Sequence, residues 1–383
     1  MTLKSSKRGA VPPFIVMDVM RAANKRQVEG EDVLHMEVGQ PATGAPETVL
    51  AAASEILRAD VLGYTDAFGV PPLRQRISTY YQEEYGVEVD AKNIVVTSGS
   101  SGAFVVAFLA VFDSGDRVAL AAPGYPAYRN ILSALGIEVV SLEVGPETNF
   151  QPTPAILDRI SGSIDGLIVA SPSNPTGTMI KSSDLETLTA YCRNRSVRLI
   201  SDEIYHGIAY GEKAQTVRAF WDEAIVINSF SKYFSMTGWR LGWMVVPDDL
   251  LRSVECLSQN LYISPPTLSQ YAAVAAFDGR DELDANVARY RENRNLLLEQ
   301  LPKAGFNKLA SADGAFYIYA DVGHLTNDSN AFCQKMLAET GVAATPGIDF
   351  DPERGHRYVR FSFSGSTKDM AQAVERLINW LAP

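Results

Sequence analysis

Several charged residues in this chain stand at the mouths of apolar runs, where a charge is costly and therefore chemically poised. Lys232 lies between the apolar runs 224–227 and 241–246, with Ser229 and Ser231 before it and Thr237, Gly238 and Arg240 after it. Both runs read as buried strands. A lysine at the lip of a buried sheet is partly desolvated, and a second cation, Arg240, follows closely. Both effects disfavour the ammonium and favour a neutral amine, the form that attacks carbonyls to make Schiff bases. A solvated lysine at a strand end is the bland alternative. Asp202 stands at the exit of the run 198–201, with Tyr205 following. A carboxylate there is costly unless paired, although a helix-capping aspartate would also fit. Arg360 lies among apolar neighbours in Tyr358–Ser362 and needs an anion if buried. An internal ion pair and the carboxylate of a ligand are both open.

The run Ser98, Gly99, Ser100, Ser101, Gly102 separates a strand at 94–97 from a helix at 103–112. A small-residue turn entering a helix offers free amides and the positive end of the helix dipole to an anion. An ordinary capped helix would need only one of the serines, and the nucleophile elbow of hydrolases would need a glycine at Ser98.

In their order along the chain these groups resemble the class I/II pyridoxal-phosphate aminotransferases, the fold-type I family. The resemblance rests on Ser229-Phe-Ser-Lys232 followed by Gly238-Trp-Arg-Leu-Gly242, and on Asn174-Pro-Thr-Gly177 directly after the strand 166–170. It rests also on Asp202 with Tyr205, and on Tyr64 together with Gly69, Leu73 and Arg74. It implies that Lys232 holds the aldehyde of pyridoxal 5'-phosphate and that Arg240, Ser100 and Ser101 hold its phosphate. Ser229 joins the cofactor set, and Tyr64 reaches across a homodimer interface to the phosphate of the other subunit. Tyr125 stacks on the pyridine ring, and Asp202 keeps a proton on its nitrogen. Tyr205 and Asn174 bond its phenolic oxygen. Gly39, Asn174 and Arg360 take the substrate carboxylate, the arginine through a planar two-point contact. Lys232, Asp202 and Tyr205 are the catalytic residues on this reading.

The activity so implied is ping-pong transfer of an amino group from an L-amino acid to a 2-oxo acid. Cleavage of a carbon–sulfur bond by β-elimination is the alternative on the same cofactor. In relatives with this kind of N-terminus the opening segment covers the substrate side chain. Here it reads Phe14-Ile-Val-Met17, with its nearest arginine at Arg21. An unpaired distal carboxylate beneath an apolar lid costs several kcal/mol, so apolar or aromatic donors are expected. After Pro346-Gly347 the family often continues Phe-Gly, whereas this chain reads Ile-Asp-Phe-Asp351, which leaves that loop without an assigned role.

The elements that must position these residues alternate. Strand-like runs at 94–97, 117–121, 166–170, 198–201, 224–227 and 241–246 are separated by helix-like segments. That pattern predicts an α/β fold with a largely parallel sheet and loops carrying the site at one edge. The resemblance implies seven strands in a large domain spanning 40–283, with residues 1–39 and 284–383 forming a smaller α+β domain. Short strands at 306–310, 316–320, 342–345 and 358–362 and a helix at 367–381 belong to the latter, and a helix at 281–300 joins the two.

The 383 residues carry a formal charge of −11, which argues against nucleic acid or an anionic membrane as partner. Cys192, Cys256 and Cys333 form no Cys-x-x-Cys pair, which suggests free thiols in a reducing cytoplasm. His35, His206, His324 and His356 are scattered, so no metal site is expected. The basic opening stretch runs into two prolines and does not read as a secretory signal. The apolar run 103–112 is too short to span a bilayer.

Overall fold

A computed structural model describes residues 3–382. Its centre is a seven-stranded sheet of β1 (Ile94–Thr97), β2 (Arg117–Ala122), β3 (Glu138–Glu143), β4 (Gly166–Ala170), β5 (Arg198–Asp202), β6 (Ile225–Ser229) and β7 (Gly242–Val245). The order across the sheet is β1-β7-β6-β5-β4-β2-β3, and β7 alone runs antiparallel to its neighbours. The fold is thus α/β with a mostly parallel sheet, as the alternation predicted.

These strands are near-continuous apolar runs because both faces are covered. Alternate residues serve opposite layers. Val96, Leu167, Leu199 and Val226 pack into one core, while Val95, Ile168, Ile200 and Ile225 pack into the other. The seventh strand, β3, was not among the runs picked out from the sequence. It is an edge strand, Glu-Val-Val-Ser-Leu-Glu, with only Leu142 buried, and its two glutamates mask it.

A second sheet is antiparallel and four-stranded. It contains β8 (Lys308–Leu309), β9 (Tyr317–Asp321), β10 (Thr345–Pro346) and β11 (Tyr358–Ser362) in the order β10-β11-β9-β8. The N-terminal segment joins it: Leu34–His35 pairs in parallel with Val342–Ala343, and Ser362 donates to Met36 O at 2.7 Å. The expected single strand at 342–345 is therefore two short ones that serve different sheets. The helix Arg280–Gln300 runs 21 residues, about 30 Å, between the two regions. No helix among the described residues is long and apolar enough to cross a membrane.

Two helices carry the site's edges. Helix α1 (Ile15–Val28) begins at the expected lid segment. Helix α2 (Gly99–Val111) begins four residues earlier than its apolar run suggested, which places Ser100 and Ser101 in its first turn.

Candidate active site

The C-terminal ends of β1, β2, β4, β5 and β6 and the start of the antiparallel β7 open onto one cavity. Lys232 is held at its floor by a tightly bonded turn. Ser231 N–H donates to Ser229 Oγ at 3.1 Å, Thr237 Oγ1 donates to Ser231 O at 2.7 Å, and Ser235 N–H donates to Lys232 O at 3.1 Å. Lys232 Nζ donates to Gly39 O at 2.5 Å and lies 5.6 Å from the Tyr205 ring centre. Burial first, then the Arg360 charge, push the ammonium down to about 8, while Asp202 opposes the shift. The second cation anticipated from the sequence was Arg240. Its effect is smaller than that of Arg360, which another sheet brings in.

Asp202 ends β5 and is buried. Tyr128 donates its hydroxyl to Oδ2, and Ile204 N–H donates to Oδ1 at 3.1 Å. Burial raises its carboxyl to about 6, with those two bonds and the Lys232 charge acting against the rise. No cation bonds it directly among the described residues. Tyr205 shares a 2.6 Å hydrogen bond with the hydroxyl of Tyr317.

Arg360, on β11, is 2% exposed. Its guanidinium lies between the rings of Tyr317 and Phe350, 4.5 and 4.7 Å from their centres. It donates to Asn174 Oδ1 at 2.8 Å, to Thr345 Oγ1 at 3.2 Å and to Glu37 O. Those partners are all neutral, and Nε is buried with no partner. The internal ion pair considered above is absent among the described residues, so this cation is positioned but not neutralised.

At the opposite edge, Ser98 precedes α2 without a side-chain cap, which leaves the first-turn amides uncovered by the helix's own residues. Arg240 reaches over this end. A Cβ on Gly99 would sit 2.7 Å from Arg240 Nη2, and Gly99 has φ +74°. The positive φ favours glycine, and any side chain there would push the guanidinium aside. Arg240 itself adopts φ 53°, a conformation non-glycine residues seldom hold without a reason. The cavity therefore presents an amine, a buried carboxylate, an unneutralised guanidinium and an anion cradle around one space.

The sequence matches the profile of the family described as "Aminotransferase class I and II" over residues 31–377. The chain belongs to that family. It is 52% identical to the valine–pyruvate aminotransferase of Mycobacterium tuberculosis, over 100% of this chain and 99% of that protein. A crystal structure of an aminotransferase from the same organism superposes with a TM-score of 0.98, at 52% identity and covering 99% of each chain. A (5-formylfuran-3-yl)methyl phosphate transaminase of Methanocaldococcus jannaschii is 33% identical over 96% of each.

In this aminotransferase ten of the residues expected from the sequence line the cavity: Gly39, Ser100, Ser101, Tyr125, Asn174, Asp202, Tyr205, Lys232, Arg240 and Arg360. Two do not. Ser229 is buried behind the wall, with its hydroxyl 2.9 Å from that of Ser231, and Ser231 is the serine that faces the space. Tyr64 is 83% exposed and outside the cavity of its own chain. Gly39 offers its carbonyl to Lys232, and a Cβ there would overlap Tyr317 Oη at 1.8 Å. Tyr128, Tyr317 and Thr237 were missed. Tyr128 lies three residues beyond Tyr125, one helical turn away, which is the signal that could have found it. Among the described residues no group of His, Cys, Asp or Glu is arranged to hold a metal.

Proposed function

We propose that this aminotransferase uses pyridoxal 5'-phosphate to move the amino group of an L-amino acid with an apolar side chain to a small 2-oxo acid, by a ping-pong mechanism. The observation that carries the reading is the convergence of Lys232, Asp202 and the unneutralised Arg360 on a cavity closed by Phe14, Val16 and Met17. The residues fit the cofactor. The uncapped start of α2 with Arg240 and Gly99 makes a phosphate cradle. Asp202 is a buried carboxylate without a cation, as a protonated ring nitrogen would require.

When bound, the cofactor supplies an electrophilic aldehyde and an electron-withdrawing ring. The protein's own part follows from the geometry. Arg360 binds the substrate α-carboxylate through its fork, with Asn174 fixing the guanidinium. Lys232 Nζ, deprotonated above about pH 8, takes the proton from the substrate α-carbon. Asp202 holds a proton at the ring nitrogen, and Tyr128 fixes the carboxylate that does so. Tyr205, tied to Tyr317, presents a hydroxyl to the phenolic oxygen. The lid residues exclude water.

Three observations support an apolar donor. Phe14, Val16 and Met17 line the cavity, and its cations are only Lys232, Arg240 and Arg360 among the described residues. Arg21, the first arginine along the chain after the lid, is exposed and paired with Asp18 at 3.2 Å. The relative at 52% identity is named for valine and pyruvate. We propose further a homodimer with shared sites, supported by the exposed side chains of Val61 and Tyr64. We propose too a division into residues 40–283 and residues 1–39 with 284–383, and a cytoplasmic setting, supported by three unpaired cysteines.

A donor panel of valine, alanine, phenylalanine and aspartate against pyruvate and 2-oxoglutarate, scored by the keto acid formed, tests the reading. Apolar donors are expected ahead of aspartate. Release of ammonia and pyruvate from a cysteine conjugate without any acceptor would point to the β-lyase instead.

A further inference from the structure

The start of α1 carries side chains that line the substrate space, and the protein supplies the anion that holds this end in place. Phe14, the residue preceding α1, makes no side-chain cap, so the first amides of this helix need an outside acceptor. Such an end, with the positive pole of the helix dipole, is a natural seat for a carboxylate. Asp349 fills it. Oδ1 accepts from Ile15 N–H and Oδ2 from Val16 N–H, each at 3.1 Å. Burial pushes its carboxyl above the usual range, and the two amide bonds and the charges of Arg360 and Arg129 act against that rise in favour of the ionised form.

Asp349 is 1% exposed and sits in the turn Gly347–Asp349, the loop whose sequence departs from the family pattern. That loop is fixed on its other sides as well. Arg129 donates to Asp349 O, Phe350 O accepts from Gly124 N–H at 3.1 Å, and the Phe350 ring lies 4.7 Å from Arg360. The lid, the substrate arginine and the segment leading to Tyr125 thus meet at one loop. A substrate with its α-carboxylate on Arg360 and its amino group toward Lys232 extends its side chain toward the remaining wall. Phe14, Met17 and Tyr125 form that wall, and the Phe14 and Tyr125 rings meet edge to face at 5.7 Å.

We propose that Asp349 is a positioning residue that sets side-chain specificity by holding the apolar lid down over the substrate space. The inference rests on the apolar-donor reading above. With the lid held down, a dicarboxylate would bring its second charge against Phe14 and Met17, which offer it no side-chain donor. Missing donors act against it. With Asp349 removed, the α1 amides lose their acceptors and the lid loosens, while Arg129 keeps its bond to the backbone carbonyl.

The holoenzyme and its Asp349→Ala and Asp349→Asn variants would be compared in half-reactions with valine and aspartate, followed by cofactor absorbance. Binding of the unreactive dicarboxylate maleate and hydrogen exchange of residues 14–20 would be measured in parallel. The expected result is faster exchange in α1, at least a tenfold rise in the aspartate-to-valine ratio of kcat/KM, and tighter maleate binding, with Asp349→Asn intermediate. If the ratio and the maleate affinity stay at wild-type values while α1 exchanges faster, Asp349 is a structural hook only and the proposal is overturned. Should Asp349→Ala not fold, Asp349→Asn decides the same ratio. A wild-type preference for aspartate would refute the apolar-donor reading by itself; the variant-to-wild-type change would still judge Asp349.

Discussion

Asp202 carries a cost in stability that the proposed role at the ring nitrogen would explain. Its carboxyl is raised to about 6 by burial, so the folded chain binds its proton more tightly than the unfolded chain does. That contribution is full below the unfolded value and is lost as pH rises through about 6. At pH 7 the cofactor-free protein therefore carries a strained anion, on the order of 2–3 kcal/mol. Asp202→Asn should raise the melting temperature of the cofactor-free protein at pH 7–8 and lose that advantage near pH 4. Holoenzyme α-proton exchange should fall by roughly two orders of magnitude or more, since an amide does not keep a proton on a ring nitrogen. Calorimetry against pH, with deuterium exchange at the substrate α-carbon, checks both halves. Arg360 gives the complementary case. Each hydrogen bond to a charged group is worth about 1.5–3 kcal/mol, so Arg360→Ala should lower kcat/KM for all amino acids by roughly 10²-fold or more. Arg360→Lys should recover only part, because an ammonium lacks the planar fork that sits between Tyr317 and Phe350. An unchanged kcat/KM in Arg360→Ala would rule out the carboxylate role. These residues were legible because chemistry restricts both type and order. Tyr317 was not, because nothing in its local sequence says that a strand of the second sheet will lay it against Tyr205 and Arg360.

At the scale of elements, apolar runs marked the buried strands well, and boundaries moved where polar residues do structural work. Helix α2 was read from its apolar residues, so its glycine and serine first turn was assigned to a loop. The small side chains suit the proposed anion cradle, and the helix starts with them. Edge strand β3 escaped for the converse reason: solvent on one side permits glutamate at both ends. The loop at 347–351 had no periodicity to read. Its role came only from the distant amides and rings it meets, such as Ile15, Val16 and Arg360. The cradle itself gives a sharp test. In Gly99→Ala the new methyl would meet Arg240 Nη2 at 2.7 Å, in a backbone conformation of φ +74°. The expected result is a folded protein whose cofactor dissociation constant rises about tenfold or more, the equivalent of ~1.4 kcal/mol. Free phosphate should then compete less well for the site. Wild-type cofactor affinity in this variant would exclude the α2 cradle as the phosphate seat.

Across the whole molecule, the site is an assembly of two sheets and, on the proposed dimer, of two chains. Lys232 and Asp202 come from the seven-stranded sheet and Arg360 from the four-stranded one. Tyr64 is the expected contact that a single chain does not complete. It is 83% exposed, and near it in sequence Leu57 and Val61 are 57% and 98% exposed. Exposed apolar side chains grouped this way suit burial against a second copy. If Tyr64 serves the partner's site, two inactive variants should complement each other. In a mixed dimer of Lys232→Ala with Tyr64→Ala, one site combines both defects. The other combines the sound lysine of one chain with the sound tyrosine of its partner. Random exchange makes about half the dimers mixed, so roughly one quarter of sites should regain full function. If Tyr64 instead serves its own chain, every site in the mixture keeps one defect, and mixing restores nothing. Activity measured after co-refolding the two variants at equal concentration, against each refolded alone, separates these outcomes. A recovery near one quarter requires sites built across the interface, whereas a sum no greater than the separate residual activities removes Tyr64 from the partner's site.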